Sequence, residues 1–131
     1  MNKMIKVLLE EIESAYTEGV TLDDAEKLAG KFLAAQLRIS SELKKADLDS
    51  RMRKSGVKAI RAAVYLNIIQ TSEKKPTEAQ IEHTINIDGL VSKEHSALDI
   101  AEVDKAELER VFDVLANAHI FFRGLAKGRF E

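Results

Sequence analysis

The chain has 131 residues, 45% of them apolar and 32% charged, with a formal net charge of −2 and no cysteine. That length suits one domain with a real core. The missing cysteine excludes disulfides, zinc–thiolate sites, iron–sulfur clusters and thiol catalysis, and fits a reducing, cytoplasmic compartment.

The near-neutral total conceals blocks of opposite sign. Residues 44–75 carry nine Lys/Arg against three acids, and residues 76–110 carry three against nine. Such blocks place fields of opposite sign on different surfaces, available to an anionic partner or to self-association.

The N-terminal stretch, "MNKMIKVLLEEIESAY", has three acids by position 13 and no long apolar run, so it reads as neither signal peptide nor membrane span. Met1, Ile5, Leu8, Ile12 and Ala15 recur at helical spacing, with Met4, Leu9 and Tyr16 widening the stripe. Gly19 is placed to end this helix in a left-handed conformation. Thr21 opens "TLDDAEKL", with Asp24 three residues later as a capping partner.

From Leu22 the helical pattern continues through Phe32, Leu33, Ile39, Leu43, Leu48, Met52 and Leu66 without a proline. Gly30 and Gly56 are its weak points, each costing about 1 kcal/mol against alanine in a helix interior. The pattern predicts either one very long helix or a pair, and a break or bend within 46–57 is the preferred expectation. "TSEKKPTEAQ" (71–80) is the clearest boundary: Pro76 cannot continue a helix, and Thr77 with Gln80 makes a capping box for the next. That next helix is short and stops at Asp88–Gly89. In the last segment Ala101, Leu108, Val111, Leu115, Ala118, Phe122 and Leu125 follow a heptad seam, the pattern that pairs with another helix. The seam does not encode whether its partner belongs to the same chain or to another copy.

No segment alternates in the manner of a strand. The fold class read from the sequence is therefore all-α, one domain over 1–131 with four or five helices. Residues 1–75 would form N-terminal helices with a basic face, and 76–131 a short helix followed by the heptad-patterned helix.

Catalytic constellations are thin. His83, His95 and His119 are widely spaced, with no carboxylate at ligand spacing on a shared face, so no metal or other cofactor is expected. "EEIE" (10–13) is similar to the acidic motif of all-α nucleotide pyrophosphohydrolases but lacks the second acidic pair that Mg²⁺ would need. No phosphate-binding glycine loop or serine–histidine arrangement is present. The chain does not read as an enzyme.

The cationic stretch is more informative. At about 100° per residue, Lys44, Arg51, Lys54, Lys58, Arg61 and Tyr65 share roughly a third of a helix circumference. Leu48, Met52, Ala59, Ala63 and Leu66 form a neighbouring apolar stripe, expected to anchor the helix while the cations face outward. A row at this spacing can follow a phosphodiester backbone, and Tyr65 can stack on a base. The same row can instead complement the acidic block as a structural charge network, and Asp47 on the same face dilutes it. The tail "FFRGLAKGRFE" interleaves aromatics with Arg123, Lys127 and Arg129, the usual look of a basic end on a packed helix.

"SSELKKADLDSRMRKSGVKAIRAAVY" (40–65) resembles the central region of the phage recombination mediator family typified by UvsY. The matching features are Ser40 and Ser41, Lys44 and Lys45, Arg53 and Lys54, Lys58 with Ala59, and Tyr65, followed by a charged linker, a short helix ending "IEHTINID" (81–88) and an amphipathic C-terminal helix. The resemblance implies a non-enzymatic all-α protein that binds single-stranded DNA and helps load a recombinase onto DNA covered by single-strand-binding protein. It places the DNA contact at Lys58. Arg61 comes one residue later than the family pattern, which turns it by about 100° on a helix. It also implies a homo-oligomer, a ring formed through the C-terminal helix, with Leu108, Val111, Leu115, Ala118, Phe122 and Leu125 as the matching contact residues. No membrane partner is implied, and the location is the cytoplasm, that of an infected host cell if the chain is phage-encoded. The competing functions are a phage structural or assembly protein built of helical hairpins, and a protein-binding helical adaptor.

Overall fold

A computed structural model describes residues 3–128. They form four helices: α1 (Lys3–Glu18), α2 (Leu22–Thr71), α3 (Glu78–Ile87) and α4 (Gly89–Ala126). No strand occurs among the described residues. The fold is all-α with long helices. Met1 of the N-terminal stripe and Arg129 of the basic tail lie outside the described residues.

The helix ends follow the local chemistry. Gly19 adopts φ +78° and its N–H donates to the Ala15 carbonyl at 3.1 Å, closing α1. The Thr21 hydroxyl accepts from the Asp24 N–H at 3.2 Å, starting α2. At α3 the capping box is complete: the Thr77 hydroxyl accepts from the Gln80 N–H at 3.2 Å and the Gln80 amide oxygen from the Thr77 N–H at 2.9 Å. Asp88 ends α3 and caps α4, its carboxylate accepting from the N–H groups of Leu90 (2.9 Å) and Val91 (3.1 Å). One residue thus joins two helices.

The preferred break within 46–57 does not occur: α2 is a single helix of 50 residues. Gly56 is tolerated because a glycine costs a helix only about 1 kcal/mol, which the burial of the neighbouring Val57 offsets.

The chain divides into two compact units, the first built from two separate parts of the sequence and the second from one continuous segment. The first takes in the residues up to Leu43 and those from Glu107 onward. Its core joins Ile5, Leu8 and Ile12 of α1, Ala25, Ala29, Phe32, Ala35 and Ile39 of α2, and Val111, Leu115, Ala118 and Phe122 of α4. Three alanines on the α2 face let the neighbouring helices approach closely. Phe122 is fully buried, its ring 5.6 Å from Phe32 and 5.4 Å from Tyr16 between centroids. The His119 Nδ1 lies 2.9 Å from the Ala29 carbonyl, tying α4 to α2.

The second unit is Lys44–Ala106. Ile81, Ile85 and Val91 form its buried cluster, with Ile60, Val64 and Ile68 of α2 packed against it. Ser50, Val57, Leu98 and Ala101 are buried as well.

A methyl group added at Gly30 would meet nothing within 4 Å, whereas Gly19 needs its positive φ. Gly30→Ala should therefore raise the thermal midpoint, adding about 0.5–1 kcal/mol of stability, and Gly19→Ala should lower the midpoint, removing about 1 kcal/mol. Calorimetry of both variants checks the pair.

Candidate nucleic-acid interface

Because α2 is continuous, the residues of the cationic row keep their helical register from Lys44 to Tyr65. Lys44, Lys54 and Lys58 are exposed, and so is Tyr65. Lys44 and Lys58 lie about 21 Å apart along the axis at 1.5 Å per residue. No acid occurs between Ser50 and Ser72, while five Lys/Arg do.

The two arginines of the row behave differently. Arg51 is paired with Asp47 one turn earlier at 3.1 Å, but its side chain stays open to solvent. Arg61 is committed to α3, its guanidinium donating to Glu82 at 3.0 Å and Asn86 at 3.1 Å, with only 29% of its side chain exposed. Glu82 and Asn86 are one turn apart on a short helix, a spacing that suits a forked guanidinium. That clamp was not read from the sequence, since it depends on α3 folding back on α2. Arg53, outside the row, pairs with Asp49 at 3.2 Å.

The anchoring stripe is a correction. Leu48, Met52 and Leu66 are 59%, 64% and 55% exposed, and Ala59 and Ala63 are also exposed. The buried face of this part of α2 is instead the one bearing Ser50, Val57, Ile60, Val64 and Ile68, about 150° further round. The helix carries two apolar faces, and the β-branched one fits the isoleucines of α3. Periodicity finds both faces and cannot choose between them.

Asp47 is the acid that diluted the row, and it has a second role. Lys105 of α4 donates to its carboxylate at 2.8 Å. The Lys105 hydrogen bond, with the positive charges of Arg51 and Lys105, holds the carboxyl below the usual carboxylate range despite some desolvation. Together with the approach of Glu94 to Gly56, this sets residues 47–56 of α2 antiparallel to 94–105 of α4.

The seam residues are placed within the chain. Val111, Leu115, Ala118 and Phe122 are buried against α1 and α2, and Leu108 and Leu125 are partly buried on the same core. Ala101, the first of the pattern, is buried in the second unit. The partner of the seam is thus this chain's own α1 and α2, and a second copy could meet the buried positions only by displacing one of them.

His83 and His95 stand apart from any ligand set, and no cluster of three or more His, Asp or Glu able to hold a metal occurs among the described residues. No described helix is long and apolar enough to cross a membrane. Comparison with protein-family models, curated proteins and solved structures returned no match.

A carboxylate with a depressed folded-state pKa adds stability at neutral pH that is lost as pH falls through that pKa. Asp47→Asn should therefore lower the urea midpoint at pH 7, and the gap to the wild type should close in acid. Urea titrations across that range check the sign.

Proposed function

We propose that this chain is a non-enzymatic single-stranded DNA-binding protein, with Lys44, Arg51, Lys54 and Lys58 tracking the phosphates and Tyr65 available to stack on a base. The observation that carries the reading is the unbroken α2, which holds these cations on one exposed helical face whose one acid, Asp47, is paired with Arg51 and Lys105. Each phosphate contact releases counterions, so a row of separately weak contacts adds up along a strand. Arg61 contributes through α3 rather than to the strand. A role as a recombination mediator, loading a recombinase onto DNA covered by single-strand-binding protein, rests on the resemblance of 40–65 to that family. Assembly of several chains would multiply the row and raise avidity.

A second reading has its own support. The exposed Leu48, Met52 and Leu66 favour a helical assembly protein, because large apolar side chains aligned on a solvent face suit a partner surface.

Fluorescence anisotropy with a labelled oligothymidylate separates the two. Strand binding through three or four phosphate contacts should weaken with salt, with a log–log slope of about −2 to −3. Replacing Lys54 and Lys58 together by Gln should cut affinity about tenfold and make the slope shallower by about 1.4, with the helical circular dichroism unchanged. Asp47→Asn should tighten binding, since it removes a negative charge from the row and frees Arg51. A folded protein that fails to bind at low salt, or that binds without any response to salt, overturns the reading.

A further inference from the structure

The cationic row of α2 has a regular beat, and one of its positions carries the wrong charge. Lys44, Asp47, Arg51, Lys54 and Lys58 follow one another at three, four, three and four residues. On a continuous helix they stand about 4.5–6 Å apart along the axis and within about 80° of one another. Four of the five positions are cations. A strand phosphate tracking the row would meet a carboxylate at the second.

The missing cation arrives from another helix of the same unit. Lys105 of α4 donates to one oxygen of the Asp47 carboxylate at 2.8 Å, and Arg51 Nε lies 3.1 Å from the other oxygen. All three groups reach solvent, with 32% of the Lys105 side chain, 33% of Asp47 and 77% of Arg51 exposed. Two oxygens on one centre, each facing a cationic nitrogen, is also the arrangement a phosphodiester offers through its two non-bridging oxygens. The Lys105 hydrogen bond, foremost, and the two positive charges keep Asp47 ionised at neutral pH, so the place between the cations is held by an anion. Asp49 makes a contrast. It pairs with Arg53 of its own helix at 3.2 Å, about 160° round from Asp47 and away from the row.

We infer that Lys105 belongs to the strand interface, and that the Asp47 carboxylate holds the place of one strand phosphate between Lys105 and Arg51 until a strand displaces it. The inference rests on the strand reading above. It adds a cation from α4 to the row, and an internal anion that competes with the strand. When a phosphate enters, two ion pairs to a carboxylate are exchanged for two to the phosphate, and Asp47 turns out to water. The exchange is nearly even, so this position adds little net affinity while Asp47 is present and a full contact once it is gone. An ion pair that merely braced α4 against α2 would have the same distances. The two roles differ in what Lys105 does after Asp47 has been removed.

The test is anisotropy of a labelled oligothymidylate across a salt series, with circular dichroism confirming that each variant is helical. Asp47→Asn should tighten binding and steepen the log–log salt slope by about 0.7, the mark of one added phosphate contact. Adding Lys105→Gln to Asp47→Asn should reverse both effects, weakening binding about threefold and making the slope shallower by about 0.7. Lys105→Arg in the same background should keep the gain. Asp49→Asn removes an equal charge from the other side of the helix and should leave the slope unchanged. If Lys105→Gln is silent in the Asp47→Asn background, Lys105 only braces α4 and the inference is overturned. An Asp47→Asn slope equal to that of the wild type overturns it as well. The strand reading fails separately: if no variant binds, or if loss of Lys54 and Lys58 leaves binding unchanged, that reading falls and takes this inference with it. Weakened binding on loss of Lys54 and Lys58, with silence at Lys105, overturns this inference alone.

Discussion

Beyond Lys44, helix α2 carries two apolar faces, and only one of them can be packed against α3 and α4. The face with Val57, Ile60, Val64 and Ile68 is the one taken, because it meets Ile81, Ile85 and Val91. From that choice the rest of the second unit follows. Arg61 turns toward α3 and is held by Glu82 and Asn86, Asp47 reaches Lys105, and Leu48, Met52 and Leu66 are left facing solvent. The cations of the row sit between the packed face and the open stripe.

The first unit solves a simpler problem. Three amphipathic segments bury one face each, and small residues at Ala25, Ala29 and Ala35 leave room for Phe32 and Phe122 between them. The heptad spacing of α4 is satisfied here by α1 and α2. A heptad seam records that a helix wants a neighbour along one line, and a neighbour in the same chain serves as well as one from another copy. It has the further advantage that its effective concentration is set by the connecting chain rather than by the solution.

Charge segregation ties the functional proposals together. An acid-free stretch of α2 and a cation-free stretch of α4 lie in one unit, and only part of each is consumed by pairing within it. Arg61 is mostly used up, Arg51 is shared with Asp47, and the lysines remain open. The surplus cations on the far edge of the row suit a phosphate backbone.

The sequence by itself determined the helical character and most helix ends. The Gly19 terminus, the Thr21 start, the capping box at Thr77 and Gln80 and the stop at Asp88 are local chemistry, decided by side chains within a few residues of one another. The stripes of α1 and of the C-terminal part of α4 were legible because each has a single apolar face. The tertiary structure alone decided that Gly56 sits inside a continuous helix, that the β-branched face of α2 is buried in place of the Leu48 stripe, and that Arg61 belongs to α3. Those outcomes turn on the shape and charge of elements distant in sequence: an isoleucine pair on α3, a carboxylate one turn from an asparagine, a lysine on α4. Periodicity specifies which residues share a face, but which face is buried depends on what the chain later brings against it.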